Sequence, residues 1–186
     1  MPKPRKMLGS ADAPYILSLM RLIETQSKAT IANWCMDYAE THVLPIYEKH
    51  CPGDDRPQQA IAAARDWFEG RKKLPEVRQI ILHECHAAAR ELDGNPAAQA
   101  AARACGQASA CFHMPAHSLG LAFYGAAAIA YDHVGLDEPP EVYDQIAAGE
   151  CAKMEAALRA VAVENEPNPA KINWGCSRER SVPDGA

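Results

Sequence analysis

The chain has 186 residues, 48% of them hydrophobic and 23% charged, with a formal net charge of −5. That length fits one domain with a sizeable core, and the composition excludes a disordered chain. The acidic balance argues against a nucleic-acid partner, which normally meets a basic face, and the small basic clusters Lys3/Arg5/Lys6 and Arg71/Lys72/Lys73 read as solvated surface.

The N-terminus carries charge but no apolar signal-peptide core, and the most apolar run, Leu119 to Tyr131, is too short to span a bilayer. Seven cysteines without a CxxC pair suit reduced thiols, so the expected compartment is the cytoplasm and no membrane partner is expected.

Apolar spacing is helical almost throughout, with no convincing period-two strand. A first helix is expected from about Pro14 to Gln26, with Asp12 as N-cap and Tyr15, Ile16, Leu19, Leu22 and Ile23 facing inward. Ser27 caps the second, where Ile31, Trp34, Cys35 and Tyr38 define one buried stripe before Pro45 bends or interrupts it. After the loop "CPGDDRP", a third helix begins at Pro57 and ends at Gly70, and a fourth runs from about Pro75 to Leu92. Asn95 and Pro96 start an alanine-rich fifth that reaches about Cys111. The sixth stops near Gly135, and the seventh extends from about Pro140 to Val163. Pro167 and Pro169 then prevent further helix.

Short connections favour antiparallel neighbours, which gives an all-α fold: one compact bundle of about seven helices with an extended C-terminal tail. The expected divisions are a flexible N-terminus over 1–12, the helical domain over 13–174 and a frayed tail over 175–186.

Histidines are the natural place to look for chemistry. A metal-binding HxxxH pair needs both rings on one helical face, but Pro115 stands between His113 and His117 and places the helix start there. His113 is then outside the helix and His117 in its first turn. In "HECHAAAR", His83 and His86 lie about 60° apart around a regular helix, close enough to converge. A transition metal such as zinc would therefore need His83 or His86 to meet His113 or His117 across two helices. The simpler expectation is no cofactor, with His117 a neutral core residue at the start of a central helix whose small residues admit close neighbours. No Walker loop, GxGxxG, GxSxG or HExxH occurs, and no catalytic residue is assigned, so a binding protein is the more natural reading than an enzyme.

Two charged groups remain. Asp54, Asp55 and Arg56, with Asp37 and Glu40, can form an acidic patch that meets a basic partner. Arg65, Arg90 and Arg103 each follow alanines on a helix and are expected in ion pairs that tie helices together.

The strings "ATIANWCMDYAETHVLPIYEKHCPGDDRPQQAI", "ARDWFEG", "HAAAR", "AARACGQASACFHMPAHSLGLAFYGAAA" and "NPAKINW" resemble the bacterial immunity proteins of the Imm-five-like kind. The resemblance spans roughly Ile16 to Trp174. It implies a mostly helical cytoplasmic protein that protects its producer by binding a cognate polymorphic toxin. The matching positions in this sequence are Trp34, Tyr38, Pro45, Asp55, Arg56, Pro57, Arg65 and Trp67, and further on Gly70, His86, Arg90, Arg103, Gly106, His113 and His117. On this reading Asp37, Glu40, Asp54, Asp55 and Arg56 are the expected toxin contacts, with Trp34, Tyr38, Arg65, Trp67, Arg90 and Arg103 as structural residues. The alternative is a helical metal-binding protein or metal-dependent enzyme using His83, His86, His113 and His117.

Overall fold

A computed structural model describes residues 4–175. Among the described residues seven continuous helical runs follow one another and there is no strand. They are α1 (Pro14–Ile23), α2 (28–50), α3 (Arg56–Phe68), α4 (74–91), α5 (Pro96–Ala110), α6 (115–134) and α7 (Pro140–Val161). The all-α bundle expected from the periodicity is the fold observed.

Local chemistry sets most of the ends. Ser27 Oγ accepts from the Thr30 N–H, and Asn95 Oδ1 accepts from the Ala98 N–H, each satisfying an amide that the first turn leaves open. The start of α1 differs from expectation. Its cap position is Ala13, without a side-chain bond, and Pro14 begins the helix through its fixed φ rather than through Asp12.

Two helices contain π-turns. In α2 the turn Ala39–Val43 joins Lys28–Tyr38 to Leu44–His50. Pro45 has no N–H to give the preceding turn, and the wider loop keeps the chain helical across it. Pro45 therefore does not interrupt the helix. In α4 the turn Ile80–Cys85 joins Leu74–Gln79 to His86–Glu91 and shifts the phase of the residues on either side.

The centre of the bundle is α5, which packs on α2, α3, α4 and α6. Ala98, Ala101, Ala104, Cys105 and Ala108 are buried on it, and such short side chains let four neighbours come close. Against it lies α6, apolar nearly all round, with Leu119, Leu121, Phe123, Ala127 and Ile129 buried. Trp34 fills the space between α2 and α7 and donates its indole N–H to Met154 O at 3.1 Å. Tyr38 is buried beside it, and Trp67 at the end of α3 rests on Phe112 with ring centroids 4.6 Å apart.

Both ends of the described chain lie on the bundle. Within the stretch expected as a flexible N-terminus, Leu8 is buried and its N–H bonds Phe123 O at 3.2 Å. At the other end the extended segment after α7 docks against the end of α1 and the turn that follows it. There Ala170 N–H bonds Gln26 O, and the Trp174 indole reaches Glu24 Oε1. The frayed tail expected over 175–186 lies, beyond Gly175, outside the described residues. No described helix is long and apolar enough to cross a membrane.

Candidate functional site

The acidic residues expected to form one face lie in two ion-paired groups. Arg65, on the last turn of α3, bonds Asp37 Oδ1 at 2.7 Å and Glu40 Oε2 at 2.5 Å across to α2. At the opposite end of α3, Arg56 bonds Asp54 Oδ2 and Glu91 Oε2, each at 2.7 Å. Tyr47 donates its hydroxyl to the same Asp54 oxygen at 2.8 Å. The nine-residue step from Arg56 to Arg65 separates the two groups by roughly 13 Å along the helix. The Arg56 guanidinium, ahead of the Tyr47 hydroxyl, holds the Asp54 carboxyl down at about 2 despite partial burial. Asp55 is exposed and accepts from Gln59 within its own helix, at 2.8 Å.

The three arginines expected in ion pairs divide. Arg65 ties α3 to α2 as anticipated. Arg90 is exposed and Arg103 half-buried, and neither makes an ion pair among the described residues. Arg103 instead lies over the Tyr124 ring, its guanidinium carbon 5.8 Å from the centroid, with Nε buried and unpartnered. An aromatic face takes the place that a carboxylate was expected to fill.

The histidines fall into a second region. His86, His113 and His117 line one pocket of about 200 Å³ between α4, the end of α5 and the start of α6, with Arg78 on its wall. His83 does not join them. It is exposed, because the π-turn Ile80–Cys85 breaks the regular 100° step on which the expected convergence with His86 rested.

Two glycines make the pocket possible. A Cβ at Gly106 would stand 2.6 Å from His86 Cε1, so the imidazole packs directly on the α5 backbone. A Cβ at Gly120 would stand 2.5 Å from Gln107 Oε1. That amide oxygen accepts from His117 Nδ1 at 2.6 Å and fixes the ring's orientation. His113 follows the end of α5 and its ring centroid lies 5.9 Å from that of His117. Both histidines are placed as Pro115 required, His113 before the helix and His117 in the short turn Pro115–His117 that opens α6.

Burial, and behind it the charges of Arg103 and Arg90, push the His86 imidazole below its ordinary value. His113 is pushed down by burial and then by Arg78 and Lys28. Both rings are thus neutral at pH 7 in a positive field. His113 Nδ1 is buried without a partner. An N–H there would be a buried donor without an acceptor, and with the hydrogen on Nε2 instead His113 can donate at that atom.

This chemistry suits an anion better than a cation. A metal would need bare ring nitrogens converging on one point and would have to overcome four nearby positive side chains. Among the described residues no group of three or more His, Cys, Asp or Glu converges closely enough to hold an ion.

A model of the family described as Imm-5 like putative immunity protein matches residues 21–157. The chain belongs to this immunity-protein family. The match runs from the end of α1 through most of α7 and includes both charged groups and the histidine pocket. It is shorter at both ends than the span over which the sequence resembles the family. No curated protein and no solved structure matches the chain.

The roles of Gly106 and Gly120 were not evident from sequence reasoning. Gly106 was visible as a position matching the family and Gly120 as a small residue admitting close neighbours, without the side chain each accommodates. The signal that could have marked Gly106 is its place on a buried helix whose neighbouring positions are alanine, where a glycine carries a helix penalty of about 1 kcal/mol relative to alanine.

Proposed function

We propose that this chain protects its producer by binding a cognate protein toxin and covering a surface the toxin needs. The observation that carries the reading is the family match across residues 21–157. The bundle supports it by offering carboxylates on a rigid frame. Arg65 holds Asp37 and Glu40, and Arg56 holds Asp54 and Glu91, so little side-chain freedom is lost when a basic partner docks. With Asp55 exposed at the start of α3, the α2–α3 side presents net negative charge at fixed positions and would accelerate encounter with a basic toxin surface.

The alternative reading is a metal-binding protein or metal-dependent enzyme built on the histidine pocket. Three imidazoles on one pocket favour it; the surrounding positive side chains weigh against it.

The test is co-expression with the toxin, followed by affinity measurements on charge reversals. The wild-type chain should rescue growth. Asp37→Lys with Asp55→Lys should weaken binding about ten- to hundredfold, with much of the change in the association rate. Unchanged affinity would refute the α2–α3 contact face, and failure of the wild type to protect would refute the immunity reading itself.

A further inference from the structure

The pocket between α4, α5 and α6 is lined by two kinds of side chain. Arg78, His86, His113 and His117 supply polar groups, and among the described residues no carboxylate lines it. The rest of the lining is Ile81, Leu82, Ala110 and Met114, of which Leu82 and Met114 are 47% and 41% exposed. Exposed large apolar side chains around a concave polar site mark a place where something binds.

Charge selects the ligand. Arg78 is exposed and makes no ion pair among the described residues, and Lys28, Arg90 and Arg103 add to the positive field. His113 lines the pocket with its Nδ1 enclosed, so a donor from this ring to a ligand is its Nε2. One wall arginine with a neutral imidazole donor matches a single negative charge carried on two oxygens. The volume of about 200 Å³ is too small for a drug-sized ligand and leaves room for a short chain beyond that headgroup.

The geometry points to a binding site for a small aliphatic carboxylate, its oxygens between Arg78 and His113 and its chain against Leu82 and Met114. The site is separate from the α2–α3 side proposed for a toxin, and it stands or falls independently of that reading.

The experiment is a titration of the full chain with acetate, butyrate and hexanoate, followed through the ring resonances of His86 and His113 at pH 7 and constant ionic strength. Hexylammonium and inorganic phosphate are the controls. Binding should be saturable and tighten about fourfold for each added methylene that the apolar wall covers. Arg78→Gln, a change at an exposed position, should weaken hexanoate about tenfold while leaving the thermal midpoint in place. Met114→Ser should flatten the dependence on chain length without abolishing acetate binding. The proposal is overturned if no acid saturates the histidine signals, if phosphate binds as tightly as hexanoate, or if hexylammonium binds in place of the acids.

Discussion

The α2–α3 side and the histidine pocket both gather charged and titratable groups, yet they spend them differently. On α2–α3 each arginine meets two carboxylates, and Tyr47 completes the bonding of Asp54. Electrostatic energy there is used within the chain, joining three helices. In the pocket, Arg78 has no ion-pair partner among the described residues, and His113 keeps a buried nitrogen without a partner. The first arrangement stabilises the fold; the second holds interaction capacity in reserve. A pocket that leaves Arg78 without an ion pair beside exposed Leu82 and Met114 is a better marker of small-ligand binding than charges already matched.

The contrast can be broken at its most tightly packed point. Gly106→Ala sets a methyl 2.6 Å from the His86 ring, which is wedged between α4 and α5. It should destabilise the protein by about 1–3 kcal/mol in urea unfolding and close the pocket to carboxylates. Unaltered stability with an unaltered pocket would mean that the ring is free to move, and the close packing of α4 on α5 would not hold the site.

The smaller effect sharpens the other half. Arg56→Ala removes the group that depresses Asp54, and should cost about 1–2 kcal/mol near neutral pH because both side chains are only partly exposed. The sign follows from the two carboxyl values, about 2 in the folded chain against an ordinary 3.8. A depressed carboxyl contributes stability above the ordinary value and loses it as pH falls toward the folded one. Wild-type stability should therefore decline between about pH 4 and pH 2 more steeply than that of the variant. Parallel acid curves would show that the Asp54–Arg56 pair contributes nothing measurable.

Much of the architecture was legible because it rests on local chemistry. Ser27 and Asn95 cap as their side chains dictate, and prolines at 14, 57, 96 and 140 open four helices. Pro115 correctly separates His113 from His117, so residue order alone removes a one-face metal pair. What escaped the sequence depends on phase and on distant partners. The π-turn Ile80–Cys85 turns His83 outward while His86 lies over Gly106, and a regular-helix count cannot register the extra residue. Arg65 and Arg103 sit in similar alanine contexts, but one finds Asp37 and Glu40 while the other finds Tyr124. Sequence spacing identifies such residues as potential ties between helices without naming what they tie to.

The claim that the pocket is a neutral-histidine site in a positive field is tested most directly by an NMR pH titration of the imidazoles in the metal-free chain. His86 and His113 should both titrate below 6.5, burial being the first cause and the arginines the second. Depressed values also mean that stability is full above about 6.5 and falls as pH drops from there toward the folded values, since the unfolded chain then binds more protons. Titration of either ring at or above 6.5 would contradict the account and reveal a negative partner that its walls do not contain.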